Sequence, residues 1–137
     1  PIGRGHILLV DDEAMLVTYG RRVLKALGYQ VTSTTSPNKA FELFAASPER
    51  FDLILADQAM PVMSGCELAA RVTALRPNFP VVLWTGRKEA VDEDASSCAE
   101  VAAIIEKPTS RAMLAQAIHR SLGKMNDDGG DSMGGES

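Results

Sequence analysis

Short apolar runs alternate along the chain with stretches in which apolar residues recur every three or four positions. The runs are HILLV (6–10), QVTST (30–34), DLILA (52–56), PVVLW (80–84) and AAIIE (102–106). Each is strand-length and most are rich in Val, Ile or Leu, as expected of strands covered on both faces. Helical periodicity fills the gaps. Leu16, Gly20, Val23, Leu24 and Leu27 share one face of the first helix, and Gly28 is placed to end it in the left-handed conformation. Ser36-Pro37 opens a second helix, with serine as N-cap and proline in the first turn. Ser64-Gly65-Cys66-Glu67 reads as a capping box for a third, whose buried face is Leu68, Val72 and Leu75. A weaker helix is predicted over 88–99, where Glu89, Asp92, Glu93 and Asp94 leave little apolar stripe. The last starts at Ser110 and buries Leu114, Ala117, Ile118 and Ser121. Beyond Leu122 the segment GKMNDDGGDSMGGES has no periodicity and reads as a disordered tail or a cloning remnant.

The pattern therefore predicts a linker over 1–5, one (βα)5 domain over 6–122 and a tail over 123–137. Right-handed crossovers in such a chain put helices on both faces of a parallel sheet, an α/β fold. With 137 residues there is room for one domain, large enough to fold without disulfides or a structural metal. The net charge of −4 argues against nucleic-acid binding by the bulk surface, which needs a basic patch. No apolar run approaches the roughly 20 residues of a membrane span. Cys66 and Cys98 form no CxxC or Cys/His cluster and are expected to be reduced, partly buried thiols of a cytosolic protein.

Ligands of parallel α/β sheets bind at the carboxyl ends of the strands. There the first strand delivers Asp11 and Asp12, the third Asp57, the fourth Thr85 and the fifth Lys107. Singly, each has an ordinary explanation: a helix cap, a turn residue, a surface lysine. Four separate strands placing compatible groups at one edge is harder to explain by chance. Three carboxylates crowded together call for a cation, and an all-oxygen set suits Mg²⁺. A lysine, a hydroxyl and Mg²⁺ also stabilise charge on a transferring phosphoryl group, and an aspartate can accept one as an acyl phosphate.

As an ordered set, LLVDDE, LILADQAMPVMSG, VVLWTG and EKP make the chain from His6 to Leu122 resemble the receiver domain of two-component response regulators. The resemblance implies a flavodoxin-like three-layer sandwich with sheet order 2-1-3-4-5. It implies that Asp57 is the phosphoacceptor, and that Asp12, Asp57 and the backbone carbonyl of Ala59 ligate Mg²⁺, with Asp11 acting through water. Thr85 and Lys107 would contact the phosphoryl group, and the Lys107-Pro108 bond would be cis. It implies a phosphorelay function, with a histidine kinase or histidine phosphotransfer domain as partner and no direct contact with nucleic acid or membrane. The domain catalyses only its own phosphorylation and dephosphorylation and is expected in the cytoplasm, tethered or not to a membrane-bound sensor kinase. Ala59 and Arg87 occupy positions that tune phosphoryl lifetime, and alanine cannot position an attacking water, so slow to moderate autodephosphorylation is expected. One position departs from the family: Ile104 stands where receivers usually carry the aromatic switch residue.

The flanks GRGHILLVDDE, SPERFDLILAD and LRPNFPVVLWTG are similar to the C-terminal receiver of a hybrid histidine kinase; a stand-alone regulator is the competing reading. A phosphatase of the haloacid dehalogenase type shares the Asp, Thr, Lys and Mg²⁺ chemistry, but it needs a D-x-D pair after its first strand, and here the acids are adjacent. A flavin module would offer Ser, Thr or Gly to a phosphate where this chain has DDEAM. A pseudo-receiver would lack one of the five groups, all of which are present.

Overall fold

The structure is a computed structural model and describes residues 5–86, 101–107 and 110–130, with side chains as far as 123. Five strands, β1 (His6–Val10), β2 (Gln30–Thr34), β3 (Leu53–Ala56), β4 (Val81–Thr85) and β5 (Ala103–Glu106), form one parallel sheet in the order β2-β1-β3-β4-β5. The described helices are α1 (Ala14–Ala26), α2 (Pro37–Ala46), α3 (Gly65–Leu75) and α4 (Arg111–Gly130), with a 3₁₀ turn at Pro48–Arg50. This is the α/β fold that the alternation predicts, with the flavodoxin-like sheet order that the resemblance implies. The predicted helix over 88–99 lies outside the described residues.

Alternation within the strands builds two cores. Leu8, Val10, Ile54, Ala56, Val81 and Leu83 point to one face, where they pack with Phe44 of α2 and Leu68 and Val72 of α3. Ile7, Leu9, Leu53, Leu55, Val82 and Trp84 point to the other, packing with Val17, Val23 and Leu24 of α1 and Leu114 and Ile118 of α4. β1, β3 and β4 are almost wholly buried, which explains their continuous apolar runs, whereas edge strand β2 is mostly half-buried and reads QVTST.

The predicted helix signals are present. Gly28 has φ 102°, the left-handed stop after α1. Ser36 Oγ accepts the Lys39 N–H, and Ser64 and Glu67 exchange both bonds of a capping box. The α1 face is rotated slightly from the predicted one: Val17 is buried with Gly20, Val23 and Leu24, and Leu16 is half-buried. Leu75, expected in the buried face of α3, is exposed: it is the last residue of the helix, past which the chain turns away at Arg76, whose guanidinium donates to the carbonyls of Pro48 and Phe51 at 3.0 and 3.1 Å.

Two further differences stand out. Cys66 is fully buried and disulfide-bonded, correcting the expectation of a reduced thiol; such pairing depends on contacts across the fold, which composition does not report. Cys98 lies outside the described residues. Helix α4 extends to Gly130, past Leu122 where the periodicity ends. Each added residue gains one backbone hydrogen bond once a helix is nucleated, so a helix can outrun its apolar stripe.

Candidate functional site

β1 and β3 are hydrogen-bonded neighbours, and both end at the same edge of the sheet. The Asp57 N–H donates to the Val10 carbonyl at 3.0 Å, so the acids after the two strands emerge side by side. One carboxylate oxygen from each of Asp11, Asp12 and Asp57 lies within 4.8 Å of the others. Asp11 is fully buried, Asp57 buried and Asp12 exposed, so the cluster opens to water on the Asp12 side. Asp11 is held by the Glu13 N–H, which donates to its Oδ1 at 2.9 Å as α1 begins.

Lys107 enters from the far side of the sheet. Its N–H donates to the Thr85 carbonyl at 2.7 Å, which fixes the turn after β5 against the end of β4. Its ammonium lies 2.8 Å from Asp11 Oδ2 and 3.7 Å from Asp57 Oδ1. Asp11 is thus its closer partner and Asp57 the second. Burial pushes the Asp57 carboxyl up to about 6, helped by the Asp11 and Asp12 charges and opposed by Lys107 and the Gln58 backbone N–H.

The floor of the site is the start of α3. Gln58 turns back onto it: its carbonyl accepts the Gly65 N–H at 3.0 Å and its side-chain Oε1 the Cys66 N–H at 2.9 Å. Gly65 lies so close to Asp57 that a Cβ there would fall 2.5 Å from the Asp57 carbonyl oxygen and 2.6 Å from Leu83. Between these anchors the loop is strained. Val62 has φ 75°, and the Met63 N–H donates to the Pro61 carbonyl at 2.8 Å, a γ-turn in the disfavoured left-handed region.

Of the sequence-predicted residues, Asp11, Asp12, Asp57 and Lys107 are thus brought together at one edge of the sheet. Thr85 is buried at the end of β4, and Ala59 is exposed in the loop after β3. Pro108 and Arg87 lie outside the described residues. Ile104 is half-buried, pairs in register with Leu83 and packs against the α2/α3 core.

Trp84, which precedes Thr85 in the chain, has neighbours that the sequence alone does not reveal. The Lys107 ammonium sits over its ring, 5.2 Å from the centroid, and Tyr19 of α1 stacks on it at 6.3 Å. Strand alternation already puts residue 84 on the α1 side, but the contact with Lys107 depends on the β4–β5 pairing.

With its sheet order and convergent acids, the chain has the architecture of a receiver. Residues 7–119 match the response regulator receiver domain family, and the chain belongs to it. It is 32% identical over 122 residues to the transcriptional regulatory protein GlrR of Escherichia coli, covering 85% of this chain but only 26% of that protein. It is 30% identical to the response regulator receiver protein CpdR of Brucella abortus, covering 85% of this chain and 96% of that one. Among solved structures it resembles the receiver domain of a sensor histidine kinase from Pseudomonas aeruginosa, with magnesium coordinated in the active-site cleft. That match has a TM-score of 0.75 and 29% identity, and covers 88% of this chain and 99% of the other. The chain therefore spans about a quarter of the length of the first of these relatives.

Proposed function

We propose that this receiver accepts a phosphoryl group on Asp57 from a phosphohistidine partner in a Mg²⁺-dependent reaction. The observation that carries the reading is the convergence of Asp11, Asp12 and Asp57 oxygens within 4.8 Å, with Lys107 in contact with two of them. The oxygen-only donor set fits a hard dication. Asp12, Asp57 and the Ala59 carbonyl would hold it, with Asp11 through water, and it would supply positive charge to the acceptor and the incoming phosphoryl oxygens.

This chain's residues do the rest. Asp57, ionised above pH 6, offers a carboxylate oxygen in line with the phosphorus. The oxygen–phosphorus bond forms as the nitrogen–phosphorus bond of the donor breaks, and the electron pair returns to the imidazole nitrogen. Lys107 turns from Asp57 to a phosphoryl oxygen, and the Thr85 hydroxyl donates to another. Gly65 and the capping box keep the acceptor backbone fixed while this occurs.

The donor must land beside the acids, where α1 begins. Met15 is 85% exposed and Tyr19 43%, and with Ala14, Thr18 and Arg22 they line a shallow pocket of about 300 Å³. An apolar helix face carrying the phosphohistidine fits this surface; the acidic net charge of the chain does not suit a polyanion. We place the domain in the cytoplasm, at the C-terminus of a hybrid histidine kinase. Support comes from membership of the receiver family and from the 29% identity to a sensor-kinase receiver. A free-standing regulator is the alternative, and the coding sequence upstream of Pro1 separates the two.

Incubation with Mg²⁺ and acetyl phosphate, followed by intact-mass measurement, tests the reading. Wild type should gain one phosphoryl group and Asp57→Ala none. A wild-type mass that never rises under saturating donor refutes it.

A further inference from the structure

We propose that Trp84 is a positioning residue for Lys107: its indole face holds the ammonium over the acid pocket. The inference rests on the function proposed above and adds a residue outside the acid, hydroxyl and lysine set. The ammonium lies 5.2 Å from the centre of the ring while pairing with Asp11 at 2.8 Å and Asp57 at 3.7 Å. Those carboxylates are also the groups that would turn to a metal. Once they do, their attraction for Lys107 weakens, whereas the π-face of Trp84 competes for neither metal nor phosphate. It therefore keeps the ammonium within reach of the phosphoryl oxygens when its ion-pair partners are engaged.

Several features show that the ring is built into this place. Trp84 is 3% exposed, yet its Nε1 finds no hydrogen-bond partner among the described residues, so ring contacts and packing set its orientation. Tyr19 stacks on it from α1. Gly20, one residue on, leaves the space it needs: a Cβ there would lie 3.2 Å from Trp84 Cζ3 and 3.1 Å from Leu9. A buried, unpaired indole N–H is unfavourable, and a leucine would fill an apolar site without it. The ring is thus a poor choice for packing alone and a good one for holding a cation.

The test is the initial rate of phosphorylation by acetyl phosphate at saturating Mg²⁺ in the full chain, followed by intact mass. Trp84→Leu should slow it by about 2- to 30-fold, the range expected for one cation–π contact. Trp84→Phe, which keeps a π-face, should restore most of the rate, and Mg²⁺ affinity by calorimetry should be unchanged in both. In a Lys107→Met background, Trp84→Leu should add no further loss. Lys107→Met alone should shift the emission of Trp84 in the metal-free protein, a readout that needs no substitution of the tryptophan. Equal rates for wild type and Trp84→Leu, equal losses with and without Lys107, or an unshifted emission would each overturn the assignment. A wild-type protein that accepts no phosphoryl group would instead refute the proposed function, a result distinct from any of these.

Discussion

Replacing Asp57 with asparagine should stabilise the metal-free protein, although it removes the carboxylate proposed above to accept the phosphoryl group. The Asp57 carboxyl titrates at about 6, raised first by burial and then by Asp11 and Asp12, against about 3.9 in an unfolded chain. Because the folded value is the higher, the folded state binds more protons between those pH values. Its contribution to stability is full below about pH 4 and is lost as pH rises through 6. Two units correspond to roughly 3 kcal/mol at most, and water entering on the Asp12 side reduces this to about 1–2 kcal/mol. Asparagine keeps the volume and an acceptor oxygen for the Gln58 N–H, and Lys107 retains its 2.8 Å pair with Asp11. Without Mg²⁺ at pH 7.5, Asp57→Asn should therefore raise Tm by about 3–10 °C. The gain should fade toward pH 4 and shrink when Mg²⁺, which binds the wild type more tightly, is added. Thermal unfolding across pH, with and without Mg²⁺, measures this. An asparagine variant no more stable at pH 7.5, or a gain independent of pH, would refute the reasoning.

Other outcomes follow from the same geometry. Val62→Gly should stabilise the fold by about 1–2 kcal/mol in urea unfolding, because the left-handed turn penalises a β-branched residue whose side chain is 83% exposed. Gly65→Ala should both lower Tm and slow phosphorylation, since the added methyl meets the Asp57 carbonyl and Leu83; an alanine variant phosphorylated at the wild-type rate would count against that contact. Ser64→Ala should cost about 1 kcal/mol by removing the capping box of α3, read from urea unfolding. Mg²⁺ should change the fluorescence of Trp84, the single tryptophan, with an affinity that falls as pH drops below about 6 and Asp57 binds a proton.

Much of this architecture is legible in the sequence because strands buried on both faces must be apolar throughout, and helix ends need particular residues. HILLV, LILA and VVLWT, the Ser36 and Ser64 caps and the Gly28 stop all follow from that logic. The candidate site residues are legible because each lies at the end of a strand or in the turn just after it. What stayed hidden depends on distances across the fold. Neighbouring helical positions differ by only about 100°, so Val17 rather than Leu16 facing the core is decided by how α1 lies on the sheet. The disulfide at Cys66, the Lys107–Trp84 contact and the tight seat of Gly65 arise from tertiary packing, and nothing local in the chain encodes them. The γ-turn at Val62 contradicts the intrinsic preference of valine, so propensity could only have argued against it.

That tight seat makes one half of the pocket an anvil. A helix start wedged against the Asp57 peptide, and tied to it through Gln58, leaves β3 no slack. If Asp57 takes up a phosphoryl group as proposed, any mechanical response would fall across the cleft, on the paired ends of β4 and β5 that carry Thr85, Lys107 and the indole beneath.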